Sequence, residues 1–225
     1  MSLTLRTWLR YVVPLTLLSA IALAPIAYVA LRSGAAPDLA HARTQLRLGW
    51  VLAATAIVCQ LWLVAGVAPS VRALAARMPL SQWRALANGL VALARGFVPW
   101  LVAIAAIATG ALALFVPGLL LLVLLALTGA SDSGPPPAPH ADSIAIARAH
   151  FVPVALLVVS IIALDLAIAY AAQAAIVPAL VGKKIVAAKL VPIRTFVRVV
   201  ALALFALSPL PACALAAAYV KFRKS

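Results

Sequence analysis

From Val98 to Thr128 the chain reads VPWLVAIAAIATGALALFVPGLLLLVLLALT, without one charged residue. A helix needs about 20 apolar residues to cross a bilayer, and a water-soluble domain rarely hides so long a run. Hydrocarbon offers backbone groups no partner, so the run must be helical. Proline lacks a backbone donor and glycine tolerates any turn, so Pro117-Gly118 is the expected site of a kink. Other apolar runs flank this one. The sequence therefore predicts an all-α, polytopic transmembrane helix bundle.

Composition agrees. Hydrophobic residues make up 67% of the 225 and charged residues 10%, with a mean hydropathy of +1.17, far from the soluble average. The only acids are Asp38, Asp132, Asp142 and Asp165, against 18 Lys plus Arg, for a net charge of +14. These bases sit between apolar runs rather than in one continuous patch. The implied partner is anionic lipid and not nucleic acid. Cys59 and Cys213 both lie inside apolar runs and read as small buried side chains. High Ala and Leu, with Arg outnumbering Lys, point to a GC-rich bacterial source.

Taken in order, a basic lead (MSLTLRTWLR) precedes a first span at about 11–31, too long for the apolar part of a signal peptide and lacking a clean cleavage site. A second span covers about 48–68, with Trp50 near one end as an interfacial anchor, and the placement of Trp and Tyr in general fits interfacial belts. Residues 70–97 are expected to form a basic interfacial stretch divided by Pro79, with Ser81 as an N-cap. Within it Trp83, Leu86, Leu90, Leu93 and Phe97 form one helical stripe, and Arg84, Asn88 and Arg95 another. A helix of that kind lies flat on a membrane. After the run at 98–128, GASDSGPPPAPHADS (129–143) reads as a loop, and further spans are expected at about 151–181 and 199–219. Between these lies a second basic interfacial stretch, about 183–196. Its Lys184-Ile-Val-Ala-Ala-Lys189 echoes Arg72-Ala-Leu-Ala-Ala-Arg77, as an internal duplication or as the chance likeness of an Ala-rich chain.

Five spans place Arg6, Arg10, Arg72, Arg77, Arg84, Arg95, Lys183, Lys184, Lys189, Arg194 and Arg198 on the N-terminal side. Arg32, Arg43, Arg47, Arg148, Lys221, Arg223 and Lys224 fall on the other. The positive-inside rule then favours a cytoplasmic N-terminus and an external C-terminus. A sixth span, or a re-entry at Pro117-Gly118, would bring the basic tail back. Arg72, Arg77, Arg84, Arg95, Lys183, Lys184 and Lys189 are the candidate lipid-headgroup contacts.

Asp165 is the one ionisable side chain deep within a span, where a carboxylate costs on the order of 3 kcal/mol. Gln173 follows eight residues on, along the same helical face. Asp165 serves either as a proton or cation site or as a hydrogen-bonded contact to Gln60, Ser208 or a partner subunit. His41, His140 and His150 lie in or beside connections and do not form facing pairs for haem. No cluster has metal spacing, and no Walker, G-x-S-x-G or dinucleotide signature occurs. No cofactor and no catalytic residue is expected.

The order LANGLVALARGFVPWLV, then FVPGLLLLVLLAL, a loop, and SIAIARAHFVPVALLVV resembles a bacterial membrane domain found fused to some glycerophosphodiester phosphodiesterases, over about residues 85–165. Arg95 and Pro99 match the start of its first helix, Pro117-Gly118 its kink, and Ala147-Arg148 its second amphipathic helix. The acidic residue usual after the kink is replaced here by GASDSGPPPAPHAD. The resemblance implies a lipid-embedded module without the hydrolase site. The expected function is thus a non-enzymatic accessory or scaffold subunit in the bacterial inner membrane, contacting anionic lipid and another membrane protein or a second copy of itself. Coupled transport through Asp165 is the alternative.

Overall fold

A computed structural model describes residues 2–32, 39–113, 115–131, 139–163 and 207–223. Helices α1 (Leu3–Arg10), α2 (Val12–Arg32), α3 (Leu39–Ala75), α4 (Gln82–Ala113) and α5 (Phe115–Leu125) lead to a 3-10 turn (Thr128–Ala130). Then follow α6 (Pro139–Ala149), α7 (Phe151–Ala163) and α8 (Pro209–Phe222). No strand occurs among the described residues. The regions of α3 and α4 from Ile57–Ala75 and Gln82–Leu112 are long and apolar enough to cross a membrane. Counting the bent pairs α1–α2 (89°) and α6–α7 (107°) as spans gives up to four among the described residues. The protein is a helical membrane protein.

Helix α3, about 55 Å long at 1.5 Å per residue, is the centre. Leu63, Val64, Val67, Ala68 and Val71 are fully enclosed by α2, α4, α8 and the 3-10 turn. Its end is a Schellman turn: the Met78 N–H donates to Ala73 O (2.9 Å) and the Arg77 N–H to Leu74 O (3.1 Å). Arg77 takes the left-handed position (φ 58°) where glycine is usual. Ser81 then caps α4, accepting from the Arg84 N–H at 3.3 Å, as its sequence position predicts.

Residues 70–97 are therefore not a separate surface helix. Their first part is the last turn of α3, which runs straight through Pro69, and the rest is the first half of α4, which runs straight through Pro99. The apolar stripe of α4 divides between the surface and the core. Trp83 is 79% exposed and Leu90 and Phe97 are exposed, whereas Ala85, Gly89 and Leu93 are buried. Glycines set the approach: a Cβ on Gly89 would lie 2.5 Å from Leu18 Cδ1 and 2.9 Å from Gly66 O, and one on Gly96 would lie 2.7 Å from Ala65 Cβ. Trp62 and Trp100 reach across between α3 and α4. Their indole N–H groups donate to Leu93 O (3.0 Å) and Val58 O (2.9 Å), with Phe97 edge-on to Trp62 and tilted against Trp100.

The run at 98–128 turns back on itself. A Cβ on Gly110 would meet Gly118 Cα at 3.3 Å, and one on Gly118 would meet Ala111 Cα at 2.6 Å. Eight residues of straight helix would separate Gly110 and Gly118 by about 12 Å, so α4 and α5 form a hairpin. The break falls between Ala113 and Phe115 and not at Pro117-Gly118, which sits in the first turn of α5. There a missing N–H costs nothing, because first-turn donors have no helical partner. The predicted loop is shorter too, since Pro139 already opens α6. Replacing Gly89 with Val should destabilise the protein by about 1–3 kcal/mol, because Leu18 can shift but the Gly66 carbonyl, also in the way, is backbone. Val91→Ala, on the exposed face, should stay within about 0.5 kcal/mol. Thermal unfolding in detergent distinguishes them.

Candidate anion-binding end of the bundle

One end of the bundle gathers the bases. Its frame is the α1–α2 corner held to the α3–α4 turn. The Tyr11 hydroxyl, fully buried, accepts from the Leu80 N–H at 2.8 Å, and the Gln82 side-chain amide donates to Arg10 O at 2.6 Å. Arg10 O is one of the carbonyls that the end of α1 leaves without a helical partner. This corner places Arg6 and Arg10 on α1 beside Arg77 and Arg84 on either side of the turn.

Helix α8 runs parallel to α3. Ala212 and Leu215 lie at the level of Gln60, and Tyr219 and Arg223 at the level of Arg72. The His150 ring at the α6–α7 corner stacks on Phe222 at 4.5 Å, which brings Arg148 to the same end. Arg6, Arg10, Arg72, Arg77, Arg84, Arg148, Lys221 and Arg223 thus converge. Arg148, Lys221 and Arg223 were expected on the opposite side. The α4–α5 hairpin adds a reversal that five straight spans do not contain, and this brings α6 with Arg148 back to the basic end. Arg95, in turn, stands apart: it is eleven residues beyond Arg84, about 16 Å along α4.

Between the last turns of α3 and α8 is a cavity of about 200 Å³ lined by Arg72, Ala75, Ala76, Tyr219, Val220 and Arg223. Arg72, Arg223 and Asp142 all act electrostatically on Tyr219, and the Arg223 guanidinium carbon is 5.9 Å from the centre of its ring. Nothing in the sequence pattern linked residue 72 to residues 219 and 223. Only the parallel packing of α3 on α8 does so.

Gln60 is 5% exposed, and its side-chain carbonyl has no hydrogen-bond partner. It borders a void of about 10 Å³ among Leu61, Leu122, Val158, Ile161 and Leu215, room for about one water. Asp165, Gln173, Lys183, Lys184 and Lys189 lie outside the described residues. Cys59 and Cys213 are buried and free, and no group of three His, Cys, Asp or Glu gathers among the described residues. No family model, curated protein or solved structure matches the chain.

The parallel arrangement of α3 and α8 makes a topological prediction. Single cysteines placed at Met78 and Lys221, both exposed, should react with a membrane-impermeant maleimide from the same side of sealed vesicles. Labelling from opposite sides would contradict the shared end.

Proposed function

We propose that the protein is an accessory or scaffold subunit in the bacterial inner membrane, crossing it about five times and seated on anionic lipid by its basic end. The observation that carries this reading is helix α4. Of its apolar membrane-length window only 11% is buried within the chain, and Val91, Val98, Leu101 and Val102 form an outward face of bulky side chains. The small residues point inward to α3. A face of this kind suits lipid or the helix of another subunit, where van der Waals contact drives association. The basic end supplies the second support, since each Lys or Arg near an anionic leaflet contributes about 1 kcal/mol. The resemblance to a lipid-embedded module without a hydrolase site points the same way. Native mass spectrometry after mild extraction from the parent membrane should show a stoichiometric second protein or a homo-oligomer. A monomer that carries lipid alone would overturn the scaffold reading.

A second reading draws support from Gln60. Its unspent carbonyl faces Val158 and Ile161 on α7, the helix after whose last described residue Asp165 follows by two. A polar group left unsatisfied inside hydrocarbon is expensive and often functional. In this reading Asp165 couples substrate movement to a proton or cation. Asp165→Asn should abolish uptake driven by an ion gradient in proteoliposomes and leave assembly unchanged. Transport that survives the change would eliminate coupling through this residue.

A further inference from the structure

We propose that the cavity between the last turns of α3 and α8 is a specific phosphate-binding site, in which Arg72, Arg223 and the Tyr219 hydroxyl hold the anion. This deepens, and rests on, the reading of the basic end as a lipid-contacting surface: it assigns one defined site where that reading needs only diffuse charge.

Three observations meet there. The cavity, about 200 Å³, is far larger than the void at Gln60, and the small side chains of Ala75 and Ala76 leave it open. Two guanidiniums line it from different helices, and a planar guanidinium can offer two parallel N–H donors to a phosphate. Tyr219 is 1% exposed, and Arg223 lies within hydrogen-bonding reach of its hydroxyl oxygen; a guanidinium can only donate there, so the Tyr219 O–H hydrogen remains to be placed. A buried donor left unused is costly, and an anion in the cavity would accept from this O–H while Arg223 donates to both.

Electrostatics has to be weighed against the helix ends. The C-termini of α3 and α8 both point here, each equivalent to roughly half a negative charge. Two guanidiniums exceed that by about one unit. Asp142 acts on Tyr219 in the opposite sense to the arginines, and Arg148 and Lys221 at the same end offset it. Phosphate is favoured over other anions by position. The cavity opens at the end where α1 turns at 89° from α2 and packs against α8, the level at which headgroup phosphates lie when α1 rests on the membrane surface. A lipid headgroup and a soluble phosphate present the same chemistry, and the test separates them.

The purified full-length protein in detergent would be titrated with phosphatidylglycerol, phosphatidylcholine and, separately, inorganic phosphate, with binding read by native mass spectrometry. Phosphatidylglycerol should fill one saturable site, and Arg223→Gln should weaken it about tenfold, the loss of one charge-assisted hydrogen bond. Tyr219→Phe should weaken it by about threefold or more. Arg223 is itself exposed at the end of α8, and Gln keeps a donor near the Tyr219 hydroxyl. Ala75→Leu provides an independent check, filling the cavity while keeping both arginines. Arg47→Gln, twenty-five residues before Arg72 on α3 and so about 37 Å away along it, removes an equal charge and should change binding less than twofold. If Arg223→Gln and Ala75→Leu bind phosphatidylglycerol as the unaltered protein does, the site proposal is overturned and the lipid-contact reading stands. If the unaltered protein prefers neither phosphatidylglycerol nor inorganic phosphate over phosphatidylcholine, both fall. Displacement of phosphatidylglycerol by inorganic phosphate, with the same sensitivity to Arg223→Gln, would support the site and assign it to a soluble phosphate.

Discussion

The bundle depends on two helix backbones being allowed to touch. In hydrocarbon there is no water to squeeze out between helices, so association rests on close van der Waals contact and on hydrogen bonds. Gly66 on α3 and Gly89 and Gly96 on α4 provide the contact, and the Trp62 and Trp100 indoles, each bonded to a carbonyl of the opposite helix, fasten it. With α3 and α4 fixed at that spacing, Leu18 of α2 fits against Gly89, and the 3-10 turn seats Gly129 against the α3 backbone at Ala65. The cavity at Arg72 follows indirectly, because α3 also positions α8.

This constraint also explains why much of the bulky stripe of α4 stays outside the core. Periodicity weights bulky apolar side chains, and in a soluble helix those mark the inner face. Against lipid the bulky side chains lose nothing by facing outward, and the inner face belongs to whatever lets another backbone approach. Trp83, Leu90 and Phe97 therefore point away from the core or along its edge, and Ala85, Gly89 and Gly96 meet the neighbouring helices. The all-helical class was legible because uncharged runs of this length permit little else. Ser81 was legible because capping is local chemistry.

The reversal after Ala113 was hidden for a related reason. Within an uncharged run no polar residue marks a turn, and the conspicuous Pro117-Gly118 pair draws attention to a position just past it. The informative signal was the pairing of Gly110 with Gly118, which permits two antiparallel segments to lie almost in contact. One reversal changes the side of the segments after it: the five-span sorting of Arg148, Lys221 and Arg223 fails at that step, and the re-entry alternative at Pro117-Gly118 is the one that resembles the structure. The Arg72–Tyr219–Arg223 grouping is harder still to foresee, because it joins residues about 150 positions apart through a packing choice that no local pattern encodes.

The corner at Tyr11 bears on how the protein is made. Its anchor, the Leu80 backbone N–H, lies 69 residues later in the chain. At a synthesis rate of about 5–20 residues per second, α1 waits on the order of 3–14 s before the groups that secure it have even been polymerised. Throughout that interval the first helix is held only by local structure and by the membrane surface. Final placement of the N-terminus is thus a late event in biogenesis, triggered when the α3–α4 turn emerges and locks behind it.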